Sequence, residues 1–347
     1  MASRRAASYK DVLAPYEQAQ TWRGMTQVAT SLLPYLALTV ASYLTLGDSL
    51  ALTVLLVFPA AGFLVRTFVV FHDCTHGSLL PSRKANARVG ALLGLFVLTP
   101  FAQWRHEHAV HHATSGDLDR RGVGDVYTLT VAEYHAKPWR SRLAYRLFRN
   151  PLVMFGLGPI FAMVVGPRVA GIGPGARPRL RRSVLITDAV LAGVCTLLGL
   201  LLGWLTLVEI WAPSALLAGS AGIWLFYVQH QFEDAYWASG QDWDYADAAL
   251  RGSTYLRLPK VLQFFTASIG LHHVHHLNAK IPNYHLARAH ASHPAFATVP
   301  TLTIADGMRA VRFKLWDERS GKLVTFAQAR RSLARARVAA AVLPAEA

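Results

Sequence analysis

A chain of 347 residues that is 53% hydrophobic and only 16% charged, with positive mean hydropathy, has the composition of a polytopic membrane protein and not of a soluble globule. Its net charge of +15 does not mark a nucleic-acid binder. The lysines and arginines fall in tails and connecting segments between apolar runs, as positive-inside topology requires, and no basic helix with interleaved aromatics is present to stack bases.

Cys74 and Cys195 cannot build a disulfide framework, which assigns the functional face to a reducing compartment. The polar N-terminus carries Arg4, Arg5, Lys10 and Arg23 without the early apolar core of a signal peptide, so it is expected to stay attached and inside.

In chain order, residues 1–29 form a polar cytoplasmic arm. Apolar runs at 32–46 and 50–71, joined by Gly47-Asp48-Ser49, form a first transmembrane hairpin, with Arg66 snorkelling near its inner end. Residues 81–88 form a basic turn, and the run 89–101 is too short to span, so it is a re-entrant or interfacial segment. A polar cap follows over 114–150. Residues 151–166, interrupted by Gly156, Gly158 and Pro159, form a second non-spanning element.

The loop at 167–182 holds arginines at 168, 177, 179, 181 and 182 and faces the cytoplasm. Residues 183–204 and 209–227 form a second transmembrane hairpin, with Asp188 the acid well inside its apolar sequence, in either a structural or a functional role. A polar, aromatic stretch over 232–267 and a rim over 278–301 follow. A small hairpin or peripheral element is expected around residues 316–322, and 326–341 form an Ala/Arg-rich amphipathic surface helix. The domain reading is therefore an arm (1–29), a membrane domain (30–325) and a tail (326–347).

Ten of the 15 histidines fall in three short pieces. The first is His72-Asp73-Cys74-Thr75-His76. The second is the stretch from Trp104 to His112, with histidines at 106, 108, 111 and 112. The third is His272-His273-Val274-His275-His276, which repeats the H-x-x-H-H spacing of the second. On a helix, residues three and four apart share a face, so these spacings aim imidazoles at one point. A lone histidine is more often a core or surface residue than a ligand. Clustered imidazoles repel when protonated and lose solvation, so without metal or carboxylates the repeated arrangement costs stability.

The four spans and two returning segments put all three clusters and His230 on one face. The zinc-protease pattern H-E-x-x-H is absent, and the imidazoles outnumber what one zinc needs. They suit two metal ions, for which iron is a plausible choice. Such a centre at a membrane surface points to oxygen activation directed at a lipidic substrate.

These three pieces resemble the histidine boxes of the membrane fatty acid desaturase family, particularly the acyl-lipid omega-6 (delta-12) type. The supporting context is Ser82-Arg83-Lys84-Ala85-Asn86, Asp117-Leu118-Asp119 and Lys280-Ile281-Pro282-Asn283-Tyr284-His285. The resemblance covers residues 30–325. It implies an all-α membrane fold of four transmembrane helices in two hairpins, with re-entrant or interfacial helices and a cytoplasmic, histidine-rich di-iron cap. It also implies conversion of a saturated carbon–carbon bond of an acyl chain to a cis double bond with O2 and two electrons.

By matching position the expected iron ligands are His72, His76, His108, His111, His112, His272, His275 and His276, with His230 in the place of a further ligand. His106 and His273 are expected in supporting or surface roles. Asp73, Glu107, Asp117 and Asp119 are candidates to orient ring N–H groups. No His-Pro-Gly-Gly haem signature is present, so electrons are expected from a separate donor such as ferredoxin. The acyl group is expected on a lipid or a thioester, and the location is a bacterial inner membrane with the site and both termini cytoplasmic. Two alternatives stand: a hydroxylase, ketolase or acetylenase on the same histidine framework, and, more remotely, a membrane metal transporter.

Overall fold

The computed structural model describes residues 9–173 and 175–333. Its first large unit is an antiparallel hairpin of α1 (Thr21–Thr45) and α2 (Leu50–His76). At 25 and 27 residues, each exceeds the ~20 residues needed to cross hydrocarbon. α1 starts well ahead of the apolar run at 32–46, because the polar residues before it continue the same helix. Ser49 caps α2 by accepting the Leu52 N–H. Gly77 ends it at φ +72, a left-handed conformation that a β-carbon disfavours, so the helix stops with His76 as its last residue.

α3 (Arg83–Phe96) and α4 (Phe101–Thr114) meet at an angle of 102°. Ser82 caps α3 by accepting the Ala85 N–H, so the segment expected as a basic turn is in fact the first turn of a helix. The bend lies where Pro100 cannot donate a helical hydrogen bond and Leu98 takes a positive φ of +54°. It folds tightly: a β-carbon on Gly90 would lie 2.2 Å from Phe101 and 2.9 Å from Cys74 Cβ.

The cap then begins with β1 (Leu129–Thr130), α5 (Val131–Ala136) and α6 (Trp139–Phe148). A broken apolar stretch follows as α7 (Pro151–Gly156) and α8 (Gly158–Ile172), the latter containing a π-helical turn at Phe161–Val165. α8 rises only about 22 Å, short of a full crossing.

α9 (Pro178–Leu202) and α10 (Trp204–His230) form the second long hairpin, of 25 and 27 residues, turning at Gly203. Among the described residues these four long helices are the ones apolar and long enough to span. Their outer faces stay apolar and exposed, as at Leu200, Leu201 and Leu205, which is what a lipid-facing surface requires. Arg168 turns inward, against the expectation for a cytoplasmic loop. It donates to Asp188 Oδ1 at 2.9 Å and to the Leu98 and Met163 carbonyls, so the acid inside the second hairpin is held by a structural ion pair.

After α10 come α11 (Tyr245–Arg251), β2 (Tyr255–Leu256), α12 (Lys260–Phe265), α13 (His272–Leu277), α14 (Asn283–His290), β3 (Thr301–Leu302), α15 (Ile304–Ala310), β4 (Leu315–Asp317) and β5 (Lys322–Val324). β4 and β5 are the antiparallel hairpin expected around 316–322, and β1 joins β4 in parallel.

The membrane core packs α2 against α1, α3 and α10 through Tyr35, Leu64, Phe71, Leu93 and Val228. A second core lies over the third histidine cluster. There Leu13, Tyr9 and Tyr16, from the stretch read as an arm, pack on Val274, Ile281 and Phe296. Phe326 and Leu333 pack on Tyr134 and Tyr145, and the rest of the expected C-terminal surface helix lies outside the described residues.

Candidate metal centre

α2 and α10 each end at the same level, and each ends in histidine. His72 and His76 lie one turn apart on α2, and His230 closes α10. The return of α3–α4 brings His108, His111 and His112 alongside, and α13 supplies His272, His275 and His276 from above.

These nine imidazoles divide into two groups. His72, His76, His108, His112 and His275 form one, and His111, His230, His272 and His276 the other; within each group the ring nitrogens lie within 4.8 Å of one another. Helix geometry explains the division. An i, i+4 step advances about 40° and keeps His108 with His112, whereas i, i+3 falls about 60° the other way and sends His111 to the neighbouring group. The groups stand side by side, with His112 stacked on His276 at 4.2 Å and His108 on His111 at 5.5 Å.

Burial, then mutual repulsion, holds His108, His111, His112, His272, His275 and His276 well below the ordinary imidazole range. Neutral rings keep a lone pair free. Several nitrogens have no hydrogen-bond partner although they are buried, among them His76 Nε2, His276 Nε2, His111 Nδ1 and His272 Nδ1. In His230, Nδ1 faces the Gly252 carbonyl at 3.2 Å. Donation there leaves Nε2 bare, 3.2 Å from His111 Nε2 and 3.0 Å from His272 Nε2.

Converging neutral imidazoles with unpartnered nitrogens are poor company for one another and a good donor set for two metal ions. The residues present fit such a pair.

Of the four acids considered as orienting groups, only Asp73 turns to a box histidine. Its Oδ1 lies 3.4 Å from His72 Nδ1, a contact too poorly aligned to count as a full hydrogen bond. Its Oδ2 accepts the Asn283 backbone N–H at 2.7 Å and side-chain N–H at 2.8 Å. Glu107 accepts from Gln103, Asp117 from Arg120, and Asp119 from the Gly240 N–H. His106 and His273 stand outside both groups; His273 Nε2 pairs with His290 Nδ1 at 3.0 Å.

Sequence reasoning missed three participants. Trp104 stacks on His108 at 4.3 Å and meets Phe68 and Phe71. Phe226 lies against His111 and His230. Both precede a histidine by four residues, and that spacing was the available signal. Arg149, fully buried, holds Tyr227 Oη and Gln231 Oε1 at 3.0 and 2.8 Å, beside His230. Nothing in the sequence distinguishes it from the surface arginines around it.

Residues 10–304 match the family model described as "Fatty acid desaturase". The chain is 42% identical over 314 residues to a fatty acid desaturase of Bacillus subtilis, covering 90% of this chain and 89% of that protein. It is 31% identical over 233 residues to an sn-1 acyl-lipid omega-3 desaturase (ferredoxin) of Synechocystis, and 27% identical over 239 residues to an sn-1 oleoyl-lipid 12-desaturase of the same organism. These matches cover 64% and 66% of this chain but only 62% and 64% of the cyanobacterial proteins. With a family match across most of its length and a bacterial relative aligned nearly end to end, the chain belongs to the fatty acid desaturase family.

Proposed function

We propose that the nine histidines His72, His76, His108, His111, His112, His230, His272, His275 and His276 hold two iron ions, and that the protein introduces a cis double bond into the acyl chain of a membrane lipid. The observation that carries the reading is the sorting of the imidazoles into a five and a four at the ends of two spanning helices. The relatives named for acyl-lipid substrates and for ferredoxin support a glycerolipid substrate and a small external electron donor. Arginines clustered at the start of α9 (Arg177, Arg179, Arg181 and Arg182) support a cytoplasmic face for the site, in the inner membrane of a bacterium.

The overall change balances as –CH2–CH2– + O2 + 2 e⁻ + 2 H⁺ → –CH=CH– + 2 H2O. Bound iron supplies the redox chemistry that unactivated C–H bonds demand. The chain's own residues supply neutrality, orientation and position. Uncharged imidazoles leave the ions their positive charge, His230 is fixed by Gly252, and Asp73 places a carboxylate oxygen 3.4 Å from His72 Nδ1. Trp104, packed on Phe68 and Phe71, and Phe226, a turn before His230, set aromatic rings against the two groups. Apolar walls there admit methylenes and exclude water, so shape selects the carbon pair.

The test is expression in a host rich in saturated and monounsaturated lipids, with a ferredoxin system, followed by fatty acid profiling. A new double bond in wild type, and none with His111→Ala, is the expected result. Unchanged lipids despite full iron loading and an active donor would overturn the proposal, and a hydroxylated product would favour the alternative chemistry.

A further inference from the structure

One concentration of charge lies outside the metal centre. Between Glu133 and Asp188 the sequence holds ten lysines and arginines and no acid. Arg149 and Arg168 are turned inward, and Arg146 donates to Tyr134 Oη and lies over the Phe326 ring. Some of the ten lie on α6, whose two sides differ. Tyr145 is buried and faces the cap, donating its hydroxyl to the Lys314 carbonyl at 2.6 Å and accepting the Leu129 N–H.

The opposite side presents Trp139, Leu143 and Leu147, which are 63%, 48% and 53% exposed. At about 100° per residue this i, i+4, i+8 stripe covers an arc of roughly 80°, and Arg140 and Arg146 stand just outside its two edges. Arg140 lies 5.5 Å from the Trp139 ring, and Arg146 donates to Tyr134 Oη. Exposed apolar residues follow directly in sequence, Leu152 at 85% and then Leu157 and Phe161 of the apolar α7–α8 stretch.

We propose that α6 is an in-plane membrane anchor. Its Trp139–Leu143–Leu147 stripe is set into the headgroup boundary of the leaflet on the metal-centre side, and Arg140, exposed beside Trp139, meets an anionic lipid phosphate. An apolar stripe flanked by arginines is the composition of an interfacial helix, and its continuity in sequence with the exposed apolar helices that follow names lipid as the occupant. An acidic protein would satisfy Arg140 but leave that continuity without a cause. The proposal rests on the reading of the chain as an integral membrane protein and is independent of which metal the histidines hold.

The experiment uses the full chain in nanodiscs, with Cys195→Ala as background and a spin label at Leu143→Cys. A control label is placed at Ser141→Cys, on the other side of the helix. Collision rates with lipid-soluble oxygen and with a water-soluble nickel complex are compared in phosphatidylglycerol-containing and in pure phosphatidylcholine discs. The Leu143 label is expected to favour oxygen and the Ser141 label nickel. The oxygen preference should grow with phosphatidylglycerol and shrink with Arg140→Glu.

As an independent measure, brominated lipid should quench a fluorescence component that Trp139→Phe removes. Equal water access at both labels in anionic discs would overturn the proposal. So would a Leu143 label that is shielded only when ferredoxin is added, which would make α6 a protein-docking face. Neither readout depends on iron or on turnover, so failure here leaves the desaturase reading standing.

Discussion

Replacing Asp73 with alanine should loosen the metal centre without touching a ligand. The carboxylate is 1% exposed and joins two distant pieces of sequence, taking two hydrogen bonds from Asn283 at 2.7 and 2.8 Å and facing His72 Nδ1 at 3.4 Å. Hydrogen bonds to a charged group contribute about 1.5–3 kcal/mol each, and their loss leaves buried donors unsatisfied. The two Asn283 bonds therefore put the cost of Asp73→Ala at about 3–5 kcal/mol, allowing for some entry of water.

That cost falls on the docking of α14 against α2 and on the His72 ring, so iron affinity should drop about 10–100-fold. Asp73→Asn keeps an acceptor oxygen and should lose only part of this. A double-mutant cycle with Asn283→Ala should show coupling above about 1 kcal/mol. Iron per protein and the temperature of half-unfolding in detergent are the measurements. Wild-type iron affinity and unfolding in Asp73→Ala, with no coupling to Asn283, would refute the account.

Acid should release the metal and weaken the fold together. Six box histidines outside the spanning helices are held well below 6.5, first by burial. Unfolding restores their ordinary basicity, so the unfolded chain binds the extra protons and native stability is lost as pH falls below about 6.5, by up to ~1.4 kcal/mol per pH unit per group. Iron retention measured from pH 7.5 down to 5 should show dependence on more than two protons; a one-proton curve would contradict the clustering. His276→Ala should lose about half the iron while His273→Ala keeps nearly all of it, by metal analysis of the purified proteins, because His273 stands outside both groups. Lys314→Met should raise the unfolding temperature. Burial and the Arg149 charge pull this amine down to about 7, its Nζ has no hydrogen-bond partner, and removing such a group should return about 1–3 kcal/mol.

The centre was legible in the sequence because its signal is local: each box carries its own helical spacing, and each box enters the groups whole apart from His106 and His273. The two hairpins were legible because hydrocarbon thickness sets a length that composition reveals. What local pattern does not encode is which partner a polar group finds. Asp188 and Arg168 are 20 residues apart and meet only after the α8 segment folds back. Arg149 looks like its exposed neighbours until Tyr227, Gln231 and the Phe313 carbonyl close around it. The polar start of α1 and the helical first turn at Arg83 carry no apolar periodicity; capping and continuity decided them, and both lie below the resolution of hydropathy. Division of the second box between the two groups needed three-dimensional placement, although the 40° and 60° offsets that produce it are properties of any helix.

Parity of crossings ties the fold to the chemistry. α2 and α10 both deliver their final histidines to one level, so the chain between them must cross the membrane an even number of times. α9 and α10 supply two crossings. Parity then lets either both or neither of the α3–α4 pair and α8 cross, and each turns back for its own reason, so neither does. α3–α4 is bent through 102°, with Gly90 admitting Phe101 at the fold, whereas α8 is too short to reach the far side. Were one of them alone to cross, His230 and α13 would lie a membrane thickness from His72, and the five and the four could not form. That both turn back therefore holds the metal centre to one face, and the apolar sequence that makes them resemble spans keeps them seated in lipid beside it.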